Sequence, residues 1–78
     1  MPTIEIIDGV KINIYANEHV PPHFHAIYAE YEALIRIEDM EIMKGELPAA
    51  QYKKIRQGLA GKAQALMQVY YELNPQKR

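Results

Sequence analysis

Apolar and polar residues alternate over "TIEII" and again over "VKINIYA", with Asp8-Gly9 between the two runs. Alternation of this kind predicts strands. Asp-Gly between them predicts a hairpin, because glycine supplies the positive φ that a type I′ turn requires. A two-residue turn puts Ile7, Val10, Ile12 and Ile14 on one face. Ile4 and Ile6 then share the other face with Tyr15, so neither face is purely polar. A second hairpin is expected from "HFHAIY" and "YEALIRIE", turning near Ala29-Glu30. Pairing Tyr28 with Tyr31 sets Ala26 against Ala33 and Phe24 against Ile35. These six residues form one apolar face. His23, His25, Ile27, Glu32, Leu34 and Arg36 take the opposite face, with His23 across from Arg36 and His25 across from Leu34. Ala-Glu suits a type I′ turn poorly, which argues for a longer or bulged loop here. "EIMKG" is a weaker fifth strand whose charges suit an edge.

After Pro48 the period changes. Tyr52, Ile55, Leu59, Ala63, Leu66, Tyr70 and Leu73 recur at spacings of three and four, an apolar stripe on a helix. Proline fits the first helical position, and Asn74-Pro75 ends the pattern. The expected helix runs over about 48–73, with Gln76, Lys77 and Arg78 as a frayed tail. Such a helix is about 39 Å long at 1.5 Å per residue. A domain of this size has a diameter of only about 23 Å, so the C-terminal turns are expected to overhang and meet a partner. Gly58 and Gly61 mark either a kink or a close approach of a strand. The expectation is one domain over 1–78. Its class is α+β: an antiparallel sheet of four to five strands within 3–45, with one long C-terminal helix packed on one face. That helix covers the Phe24 face and leaves the histidine face open.

Composition narrows the function classes. A chain of 78 residues buries only about 60% of its unfolded surface. It has no cysteine, so neither disulfides nor thiolate metal ligands are available. That suits a reducing cytoplasm, the expected location. The beginning lacks the basic and apolar regions of a signal peptide, and no apolar run suits a membrane span. A net charge of −1 and a pI near 6.3 lack the global footprint of a duplex-binding protein.

Chemistry is concentrated in "NEHVPPHFH", which holds all three histidines. Three readings compete. In a strand, residues i and i+2 point the same way, so His23 and His25 can present two imidazoles to one ion, with His19 joining from the loop. Three histidines and a water form a catalytic zinc arrangement, with Glu18 or Glu32 as a further ligand. Against this, Arg36 opposite His23 repels a cation. In the second reading His23, His25 and Arg36, with Lys11 nearby, bind phosphate. The two imidazoles then serve as general base and acid in metal-independent RNA cleavage. The acids Glu30, Glu32 and Glu38 around the patch weigh against it. In the third reading the histidines only bond loop carbonyls beside Pro21 and Pro22. Other features are plainer: the tyrosines read as core and interface, Lys53-Lys54 as a solvated helix face, and "DGVK" as a turn without the glycines of a phosphate loop.

The pattern "NEHVPPHFH", "YAEYEA" and "GELP" before a helix resembles a family of short bacterial proteins known only as a domain of unknown function. The family signature has Asp where Glu18 stands. Asn17, His19, Pro21, Pro22, His23, Phe24 and His25 match its other positions. The resemblance implies a cytoplasmic bacterial protein encoded beside a second small protein, in a toxin–antitoxin-like pair. The leading expectation is a binding or regulatory module acting by protein or RNA contact. Its partner is a second copy of itself, as a homodimer, or a small protein. The alternative is a histidine-dependent enzyme, either an endoribonuclease using His23, His25 and Arg36 or a hydrolase with zinc on His19, His23 and His25.

Overall fold

The computed structural model describes residues 3–16 and 19–75. The chain forms β1 (Thr3–Ile7), β2 (Val10–Asn13), β3 (His23–Tyr28), β4 (Tyr31–Arg36), β5 (Ile42–Gly45), α1 (Ala49–Gly58) and α2 (Ala63–Leu73). The strands make one antiparallel sheet in the order β1-β2-β3-β4-β5. The α+β class and the five-stranded sheet agree with the sequence pattern.

The first hairpin turns at Asp8-Gly9, with positive φ at both residues (49° and 79°) and Ile7 paired with Val10. Val10, Ile12 and Ile14 are fully buried, while Ile4 and Ile6 are exposed. β2 ends at Asn13, shorter than the alternation suggested, yet Ile14 still packs inward. The second hairpin has the expected register throughout, from His23 against Arg36 to Tyr28 against Tyr31. Its turn differs from expectation. It is a two-residue turn rather than a longer or bulged loop, and Ala29 adopts a φ of 53°. The register explains this: four matched apolar positions, Phe24, Ala26, Ala33 and Ile35, are all buried, and that burial outweighs about 1–2 kcal/mol of left-handed strain at an alanine.

β5 carries a bulge: Ile35 pairs with Ile42 but Leu34 with Lys44, which leaves Met43 unmatched. Gly45 closes the bulge at φ 81°. A Cβ there would collide with the Glu32 carbonyl oxygen and lie 3.1 Å from Ala33 Cα. The bulge and the charge of Lys44 blunt this edge of the sheet.

The single long helix is not what forms. Two helices replace it, separated at Leu59–Lys62. Pro48 is the cap before α1 rather than its first residue. Gly61 adopts φ 78°, a left-handed conformation that ends the α-helical path, and the Lys62 amide bonds the Leu59 carbonyl to turn the chain. The break keeps Ile55 and Leu59 of one segment and Leu66 and Tyr70 of the other against the same sheet face. It also removes the overhang. The longest dimension is 34 Å and the radius of gyration 11.5 Å, whereas an unbroken helix would measure about 39 Å. Gly58 is the close approach, since a Cβ there would sit 3.1 Å from the Ile7 side chain.

Both helices therefore lie on the face of Phe24, Ala26, Ala33 and Ile35. Asn74, fully buried, clasps the end of α2. Its Nδ2 donates to the carbonyls of Tyr15 (3.0 Å) and Tyr70 (2.9 Å), and its amide also bonds Tyr70. Gln76, Lys77 and Arg78, the expected frayed tail, lie outside the described residues.

Candidate functional site

Antiparallel pairing carries one row of side chains across the open face: Thr3, Asn13, His25, Leu34 and Lys44, one from each strand. The next row holds Ile6, Lys11, Ile27 and Glu32. His25 is at the centre. Its Nδ1–H donates to Glu32 Oε2 at 3.0 Å, and its ring meets the Tyr15 ring edge-on at 4.7 Å. The histidine side chain keeps 15% of its exposure and the glutamate 53%. Donation from Nδ1 puts the lone pair of a neutral ring on Nε2. Glu32 thus orients the imidazole.

A run of polar contacts leads to His25 from the β1 edge. Thr3 Oγ1 donates to Asn13 Oδ1 (2.7 Å), and Asn13 Nδ2 donates to the Tyr15 hydroxyl (2.8 Å). Asn13 is 1% exposed, so these bonds satisfy a buried amide. On the β5 side, His25, Glu32, Leu34, Lys44 and Gly45 line an open depression of about 430 Å³. Lys44 makes no ion pair among the described residues.

His23 shares the open face in register, yet it is almost completely covered. It is 5% exposed. Its Nδ1–H donates to the Pro21 carbonyl (2.9 Å), and its ring is 5.5 Å from His25 and 6.0 Å from Tyr70. The Tyr70 hydroxyl in turn donates to the His19 carbonyl (3.0 Å). His23 and the backbone of His19 are thus built into the junction between the loop and α2.

Arg36 pairs across the sheet with His23, as the register required, but its guanidinium turns to Asp39. Nε–Oδ1 is 3.0 Å and Nη2–Oδ2 is 2.7 Å, a bidentate pair. Those hydrogen bonds hold Arg36 above its ordinary value and Asp39 below the ordinary carboxylate value. The structure brings His23 and His25 together and commits Arg36 elsewhere. The His19 residue is exposed. Among the described residues no three His, Asp or Glu side chains are grouped to hold a metal ion. Asn17 and Glu18, which precede His19 in the histidine-bearing stretch, lie outside the described residues. Sequence reasoning missed Asn13, Tyr15, Lys44 and Asp39. Only the ladder register could have found Asn13 and Lys44, Tyr15 lies beyond the end of β2, and Asp39 joins Arg36 through the turn before β5.

The model of a domain of unknown function, DUF4160, matches residues 9–70. The chain belongs to the DUF4160 family. No curated protein and no solved structure matches it. The DUF4160 match includes the three histidines, Glu32, Arg36 and Lys44. It omits Thr3, at one end of the polar run, and Asn74. Among the described residues no helix is long and apolar enough to cross a membrane.

Proposed function

We propose that this DUF4160 chain is a cytoplasmic bacterial binding module, the regulatory member of a toxin–antitoxin-like gene pair. It meets a small partner protein through the sheet face opposite its helices. The observation that carries this reading is one-sided coverage. α1 and α2 both pack on the Phe24 face, while the other face presents Ile6, at 61% exposure, with Ile27 and Leu34 beside the His25 pair. Apolar side chains mixed with few charges suit a protein interface. A nucleic acid is a poorer match, because Lys11 and Lys44 share this face with Glu32 and the net charge is −1. The test is light scattering of the chain alone and with the product of the neighbouring gene. A one-to-one complex supports the reading, and a homodimer in the absence of that protein redirects it to self-association. A chain that stays monomeric with the neighbouring product present contradicts it.

A second reading has its own support in the 3.0 Å pair between His25 and Glu32, beside Lys44 in the depression. An imidazole oriented by a carboxylate is the arrangement of a general base, and a nearby ammonium stabilises developing negative charge. RNA cleavage that is lost in His25→Ala and in Glu32→Gln supports this reading. Elemental analysis of the purified protein separates its zinc-dependent form from the metal-independent one.

A further inference from the structure

The small net charge conceals a separation of charge along the chain. Residues 47–71 contain four Lys or Arg and no Asp or Glu, whereas residues 29–46 contain six acids and two bases. The basic part is α1 and the turn after it. Two of its cations are satisfied locally: Lys54 Nζ lies 3.6 Å from Asp8 and Lys62 Nζ 3.6 Å from Glu5. Lys53 and Arg56 make no ion pair among the described residues.

These two cations are not scattered. Ala49, Tyr52, Lys53, Arg56, Gln57 and Ala60 fall at helical spacings of three and four, and together they line a depression of about 440 Å³. Ile55 and Leu59 point the other way, into the core. The depression lies on the helical side of the molecule, away from the face that carries His25. Its anchor is already fixed. The Tyr52 hydroxyl donates to the Met40 carbonyl at 2.6 Å, and the Arg56 guanidinium rests 5.6 Å from the Tyr52 ring centre. An aromatic ring held at both ends, with an arginine stacked on it, loses little freedom on binding. Tyr and Arg are also the residues that most often carry binding energy in protein interfaces. Alanines at the two ends of the stripe leave room for an approaching chain.

From this we infer that the outer face of α1 is a second docking surface, and that it takes an acidic, partly apolar segment of a protein. Charge complementarity selects the acidic partner: two cations that make no ion pair among the described residues rim a floor of Ala49, Tyr52 and Ala60. A nucleic-acid backbone is disfavoured because two cations engage about two phosphates, which gives weak binding. The surface is separate from the sheet face of the proposed function and does not depend on it.

The test is an NMR titration of the full chain with a synthetic twelve-residue amphipathic peptide of Glu and Leu, beside a control with oligo-uridine. The peptide should shift Tyr52, Lys53 and Arg56, and its binding should weaken as salt rises. Lys53→Gln with Arg56→Gln should weaken it about tenfold. Both positions are solvent-facing, and circular dichroism checks that the variant folds. Ile6→Lys with Leu34→Gln, on the other face, should leave peptide binding unchanged, so failure here is distinct from failure of the sheet-face reading. The inference is overturned by oligo-uridine binding more tightly than the peptide at these residues. Peptide shifts elsewhere, the absence of binding, or self-association that depends on Lys53 and Arg56 also overturn it.

Discussion

Phe24 and His25 are neighbours in the chain and look in opposite directions. Phe24 is fully buried with Ile35, Leu66 and Tyr70 in the core. His25 stands on the open face, bonded to Glu32 and edged by Tyr15. The inner face is held by area and shape, so its residues are interchangeable in kind and costly to truncate. The outer face is held by directed bonds between particular atoms. Its residues contribute little to burial, and their value lies in what they present. One sheet thus separates stability from chemistry, with alternate residues of a single strand doing different work. The separation is not complete, because His23 faces outward in register and is nevertheless built into the scaffold.

The largest effect expected from that contrast is at Phe24. Phe24→Ala should lose about 3–5 kcal/mol of stability in urea denaturation, enough to unfold much of a domain this small. The two histidines sharpen the contrast. His23→Ala removes a buried ring and strands the Pro21 carbonyl, so it should lose about 1–3 kcal/mol. His25→Ala should lose under about 1 kcal/mol, since its carboxylate partner is half exposed and returns to water. Equal losses at the two positions would place His25 in the scaffold as well. Gly61→Ala should follow, at about 1–2 kcal/mol, because alanine resists the φ of 78° that separates the helices.

The smallest effect is electrostatic and depends on pH. Asp39 is held below the ordinary carboxylate value by Arg36, so the unfolded chain takes up a proton more readily than the folded one. The contribution of the pair is therefore complete above the unfolded value and fades as pH falls through the lowered folded value. Both groups are at the surface, so the change in thermal midpoint between about pH 5 and pH 2 should be slight. Asp39→Asn should remove that part of the acid dependence, and the same variant should leave the midpoint at neutral pH little changed.

The contrast also explains what could be read in advance. The β3–β4 register was legible because Phe24, Ala26, Ala33 and Ile35 match only one way, and a one-residue slip would turn them to water. The break between the helices was not, although Gly58 and Gly61 both lie beside it. Leu59, Ala63 and Leu66 keep the helical spacing straight through it, so the period carries no sign of the turn. The burial of His23 depends on Tyr70 and the 19–22 loop, contacts that link residues far apart in the chain. Alternation placed His23 on the correct face and was silent about what would cover it. In the phosphate-binding reading Arg36 serves the histidines across the sheet. Asp39, three residues on, instead engages one edge of its guanidinium through Nε and Nη2.

The central claim is that the face opposite the helices is the working surface of this domain. The measurement that tests it most directly is light scattering of the chain mixed with the proposed partner, the neighbouring gene product, for wild type and for Ile6→Lys with Leu34→Gln. The account predicts that the variant keeps the wild-type urea midpoint to within about 1 kcal/mol and no longer forms the complex. A variant that assembles with the partner as wild type does would contradict it.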